Sequence, residues 1–227
     1  MNIIIYLGIL IISIFSIQLA KKYLGKLGLT ITFIVMSTVS FLLAFKYITL
    51  STININSNSI TYVTMFTTLY MLLESTNKKE VKEIINLNFI INIFTAMMLY
   101  IMTYYTQSLT DTISINMKNV FSSNYQILIV YPLTTLLSNY LLIRVHEKIK
   151  KLYDNHFITT VTTYLLIGII EGIIYTLLVY NQILNTKTII LVILSTYMVR
   201  LILTVIYSLF LTLLSKKKVK SWTVLFF

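Results

Sequence analysis

The chain has 227 residues, of which 57% are hydrophobic and only 11% charged, with a formal net charge of +11 and a mean hydropathy of +0.86. A soluble domain carries about a quarter charged residues, so this composition excludes one and predicts an integral membrane protein. The absence of cysteine excludes disulfides, thiolate metal sites and a cysteine nucleophile.

The first apolar run, Asn2 to Ala20, has no basic residue before it and no small-residue cleavage site after it, which reads as a retained helix and not a signal peptide. Lys21, Lys22 and Lys26 follow, and a second run extends from Leu29 to Leu50, with Lys46 placed to snorkel at its outer end. The uncharged STININSNS leads to a short third run, Ile60 to about Leu73, closed by Glu74 and the polar turn STNKKEVKE. Ile84 to Tyr105 makes a fourth run, with Asn86, Asn88 and Asn92 in its first half and at its entrance. The longest connection, TQSLTDTISINMKNVFSSN, reads as a loop. A fifth run, Tyr125 to Ile143, holds the only proline, Pro132, as a place for a kink. After RVHEKIKKLYDNH come a sixth run, Phe157 to Tyr180, and a seventh, Thr188 to Leu214, before the basic tail SKKKVKSW. His146 and His156 lie in or beside the fifth connection without metal-ligand spacing and read as solvated loop residues.

The fold class is therefore an all-α, polytopic helical bundle in a single transmembrane domain spanning residues 1–227, with seven helices. A six-span count stays open at the first and the short third runs. Fourteen of the eighteen basic residues fall on alternate connections: Lys21, Lys22 and Lys26; Lys78, Lys79 and Lys82; Arg144, Lys148, Lys150 and Lys151; Lys216, Lys217, Lys218 and Lys220. By the positive-inside rule those connections are cytoplasmic, which predicts a multi-pass plasma-membrane protein with its C-terminus inside. The same distribution argues that the positive charge serves topology and not nucleic acid.

Glu171 is the one acid deep inside an apolar run. An intramembrane carboxylate is costly unless it faces the bundle interior, water or a partner, so it marks a polar site or path. Gly168 and Gly172 flank it on one helical face, which predicts close approach of a neighbouring backbone. Arg200 lies at a similar depth in the seventh run, so the two charges are expected to meet on sequential antiparallel helices. A purely structural ion pair and a substrate-exchangeable one are equally compatible with that spacing. No Walker loop, GxSxG, HExxH or Gly-rich dinucleotide turn occurs, and no enzyme chemistry, metal or cofactor is assigned.

The GKLGL at Gly25 to Leu29, Lys46, and the LYMLLESTNKKEV segment with Glu74, Lys78, Lys79 and Glu80 resemble the patterned residues of the vitamin uptake transporter family, whose best understood members carry queuosine precursors. Ser138 and Asn139 resemble that family's S-Q-x-x-D motif, Gly168 to Glu171 resembles a second copy with Glu for Asp, and Arg200 stands where the family tends to have lysine. The likeness runs over nearly the whole chain. Tyr70 replaces an aspartate of the pattern, Asn77 a glycine, Leu142 an acid and Gly168 a glutamine.

What the resemblance implies is a transporter importing a 7-deazaguanine. In it Glu171 would accept the base's paired N–H donors, Asn139 and Ser138 would orient it, Arg200 would be the charge partner, and Tyr70 or Tyr175 would stack on the ring. Glu74 and Lys46 would serve as gate or structural polar residues. The alternative is a non-transporting membrane protein, with an immunity or interaction role, in which the Glu171 and Arg200 pair fixes helix packing. The expected partners are that small molecule and the lipid bilayer, with a homo-oligomer left open.

Overall fold

The computed structural model describes residues 2–50, 53–106, 114–153, 155–180 and 185–216. Nine elements follow in chain order: α1 (Asn2–Leu43), β1 (Tyr47–Leu50), β2 (Ile53–Asn56), α2 (Ser59–Ser75), α3 (Lys78–Met102), α4 (Ser114–Ser123), α5 (Tyr125–Leu152), α6 (His156–Tyr180) and α7 (Thr186–Lys216). The protein is an all-α bundle with one small hairpin. Five of the helices, α1, α3, α5, α6 and α7, are long and apolar enough to cross a membrane.

The first and second apolar runs form one hairpin-shaped helix. A straight helix of 42 residues would hold its ends about 60 Å apart. Asn2 Nδ2 nevertheless donates to the Thr49 carbonyl at 2.9 Å. The reversal falls at Gly25, whose φ of 56° and ψ of −126° lie outside the helical region and suit a residue without Cβ. A Cβ built on Gly28 would come within 2.2 Å of the Ala20 carbonyl oxygen. The arms 2–24 and 26–43 therefore turn back on each other through the GKLG segment.

The second arm stops at Leu43, seven residues short of the end expected from hydropathy. The β-branched residues beyond it pair instead as an antiparallel hairpin, with Ile48 opposite Ile55 and Thr49 opposite Asn54. Lys46 lies between helix and hairpin with its side chain exposed, not on the helix where snorkelling was expected. The hairpin is fastened to the bundle: Asn56 Nδ2 donates to the Ala44 carbonyl at 3.1 Å, and the Ser195 hydroxyl of α7 donates to the Asn54 carbonyl at 2.8 Å. Non-helical backbone of this kind is tolerated in a membrane protein where protein encloses it.

The shortness of the third run now has a cause. The hairpin takes up the chain between the second arm and Asn56, and α2 follows from Ser59 with only 17 residues before the lysine-rich end. Every residue of α2 from Ser59 to Leu72 is buried, which makes it the central helix. Its threonines return their hydroxyl protons to the helix's own carbonyls, as Thr64 does to Ile60 at 2.7 Å and Thr67 to Val63 at 2.8 Å. Thr64 also meets the Tyr207 hydroxyl of α7 at 2.6 Å.

The lysine-rich connections gather at one end. Lys26 pairs with Glu80, Lys78 with Glu147 at 2.6 Å, and Lys150 with Glu74 at 2.8 Å. Pro132 lies inside α5. The longest connection, expected to be a loop, contains the helix α4.

Candidate functional site

Glu171 of α6 and Arg200 of α7 form the ion pair expected of them. Arg200 Nη1 lies 2.5 Å from Glu171 Oε2, and the two side chains are only 8% and 2% exposed. The rest of the guanidinium is held by the start of α2. Nη2 reaches Asn58 Oδ1 at 3.5 Å, and the ring of Tyr62 lies beneath the cation with its centroid 3.8 Å from Cζ. A desolvated cation on an aromatic face gains about 2 kcal/mol. Only Arg200 Nε, also buried, has no partner. Neither Asn58 nor Tyr62 is singled out by hydropathy, because one precedes a short apolar run and the other is one of 17 tyrosines.

Beside the pair, α6 and α7 enclose a cavity of about 260 Å³, walled by Gly168, Gly172, Tyr175, Tyr197 and Arg200 and covered by Tyr47 and Asn56 of the hairpin. The two glycines do not serve the close backbone contact expected of them. A Cβ added to either would meet nothing within 4 Å, so their missing side chains leave room in the cavity wall. Tyr175 is buried one turn beyond Glu171 and meets Tyr131 of α5 edge to face at 6.3 Å.

Ser138 and Asn139 face the interior from α5, outside that cavity's lining. Asn139 is fully buried, and neither atom of its carboxamide has a hydrogen-bond partner. At 1.5 Å per residue, Asn139 lies about 20 Å from the lysine-rich end of α5, and Glu171 about 22 Å from that end of α6. A second polar cluster joins α5 to α1 and α3. Asn88 and Asn92 each donate to the Ser37 hydroxyl at 3.0 Å, and the Tyr131 hydroxyl reaches the Ser37 carbonyl at 3.4 Å.

Tyr70 does not join Glu171. It lies eight residues along α2 from Tyr62, about 12 Å nearer the lysine-rich end. There its hydroxyl meets His156 Nδ1 at 2.8 Å, and its ring meets that of His146 at 4.7 Å. Both histidines therefore depart from the solvated-loop expectation. His146 is 4% exposed and faces Glu74, with 3.1 Å between Nε2 and Oε1. Lys150 Nζ donates to the same carboxylate oxygen at 2.8 Å. Glu74, Tyr70 and the two histidines thus clasp α2, α5 and α6 together far from the Glu171 pair. Neither histidine falls in a metal-ligand cluster among the described residues.

No protein-family model matches the chain, and comparisons with curated proteins and with solved structures return no match. Among the described residues, the five helices long and apolar enough to span a bilayer support a membrane-embedded helical protein.

Proposed function

We propose that the protein is a plasma-membrane carrier for a small planar heterocycle, a 7-deazaguanine queuosine precursor being the substrate class to test first. The observation that carries this is the buried ion pair of Glu171 and Arg200, whose arginine lines an aromatic-walled cavity. A guanine-type edge presents adjacent N–H donors, much as a guanidinium does, so such a ligand competes with Arg200 for the Glu171 carboxylate. The cavity volume of about 260 Å³ lies just under the range of sites for larger drug-like ligands, about 300–1,000 Å³. Tyr175 and Tyr197 offer ring faces, and the unpartnered Asn139 amide lies outside this lining, on the neighbouring helix α5.

The structural reading has its own support. Both terminal nitrogens of Arg200 and one face of its guanidinium are already engaged by Glu171, Asn58 and Tyr62. A non-transporting membrane protein, with an immunity or interaction role, needs nothing more from the pair. Uptake of labelled 7-deazaguanine by cells unable to make the precursor separates the two. Accumulation by the native chain and its loss in a folded E171Q/R200M double variant supports the carrier. No accumulation by the native chain removes this substrate, and unchanged accumulation by the double variant removes this site.

A further inference from the structure

A cavity larger than the one beside the ion pair lies away from it, between the last turns of α3, the short α4 and the first turns of α5. Its volume is about 1080 Å³, more than a small heterocycle would fill. Its wall changes character with depth. The rim carries Tyr100, Tyr104, Tyr125 and Lys118, whereas Ile93 and Leu133 line it lower on α3 and α5. From Met102 back to Ile93 the wall descends about 13 Å at the helical rise. An aromatic and cationic rim above an apolar slot matches the profile of a bilayer leaflet, with tyrosine at headgroup level and hydrocarbon beneath.

We propose that this cleft seats one anionic glycerophospholipid of the leaflet opposite the lysine-rich end. Its phosphate lies against the Lys118 ammonium and the Tyr100 and Tyr104 hydroxyls, which are themselves joined at 2.6 Å. One acyl chain follows the slot past Met97 and Ile129 to Leu133. Among the described residues no acid pairs with Lys118, so its charge is open to a phosphate. A second copy of the chain is a poorer match for the rim. Of its seven acids, Glu74, Glu80 and Glu147 are paired at the far end, beside Glu83. Glu171 is buried on Arg200, Asp154 belongs to the lysine-rich α5–α6 connection, and Asp111 lies outside the described residues. The bilayer supplies the missing anion. None of this rests on the transport proposal.

Native mass spectrometry of the full chain, released from vesicles of mixed phosphatidylethanolamine and phosphatidylglycerol, tests the site. The native protein should retain one phosphatidylglycerol. Lys118→Gln should lower the ratio of retained phosphatidylglycerol to phosphatidylethanolamine by about fivefold, the value of one interfacial lysine. Ile129→Trp, an exposed position whose new ring fills the slot, should lose the adduct of either lipid while the protein stays folded by circular dichroism. No retained lipid in the native chain overturns the proposal. Retention that both variants leave unchanged overturns it too, as would a dimer that Ile129→Trp dissociates.

Discussion

Replacing Glu171 by glutamine leaves the Arg200 side chain, 8% exposed in the native protein, without its anion. Removing one member of a buried pair costs about 3–5 kcal/mol, because the other charge stays desolvated. Arg200 keeps the Tyr62 face and Asn58, which places Glu171→Gln toward the lower part of that range. Arg200→Met is expected to cost less: a stranded carboxylate can take up a proton, whereas a stranded guanidinium cannot lose one. With Glu171→Gln and Arg200→Met together, neither charge remains to be solvated. The double variant should then lie within about 1 kcal/mol of the native protein, for a coupling energy of about 3 kcal/mol between the sites. Equilibrium unfolding in mixed micelles, followed by circular dichroism across native, single and double variants, measures that coupling. A value below about 0.5 kcal/mol, the scatter expected of independent sites, would refute the argument that each charge is tolerated through the other.

Three further outcomes follow from the arrangement of the helices. The chain has no native cysteine, so single cysteines at Lys79 or Lys150 can be probed directly; an impermeant thiol reagent should reach them only after cells are permeabilised, and labelling of intact cells would reverse the topology. Gly168→Ala should be neutral or stabilising by up to about 1 kcal/mol, as expected where a helical glycine has open space beside it, while Gly28→Ala should lower thermal stability because its Cβ meets the Ala20 carbonyl at 2.2 Å; equal effects would remove the distinction drawn between the two glycines. Under the carrier proposal, Glu74→Gln should slow uptake more than it weakens binding, and a large loss of equilibrium binding in a folded variant would move Glu74 into the substrate site.

The helical class was legible because hydrocarbon imposes a simple rule on composition, and each of the seven apolar runs contains a helical stretch. What hydropathy could not show was where an apolar run ceases to be helical. Tyr47 to Leu50 is as apolar as the helix before it, yet it pairs with Ile53 to Asn56 as a hairpin. The alternation of isoleucine with polar residues in ITLSTININ was the available signal for strands. The Gly25 reversal was marked by lysines on both sides, but its tightness depends on Gly28 lacking a Cβ against Ala20. That contact joins two arms and has no sequence period.

The pairing of Glu171 with Arg200 was legible for a different reason: two opposite charges at one depth in apolar helices have few other ways to be accommodated. Tyrosines and histidines offer no such constraint. Tyr70 and Tyr62 share a helix and both face inward, but Tyr62 lies under Arg200 while Tyr70 lies between His146 and His156. Their separation of eight residues fixes the difference in depth and says nothing of the partner at each level. That partner is set by α7 at one level and by α5 and α6 at the other. Since α2 and α6 take part in both clusters, a displacement of α2 along its axis would strain the Asn58 and Tyr62 contacts to Arg200 together with the Glu74 and Tyr70 contacts to the histidines. The central helix thus contributes side chains to both the buried pair and the lysine-rich end, although the two clusters share no side chain.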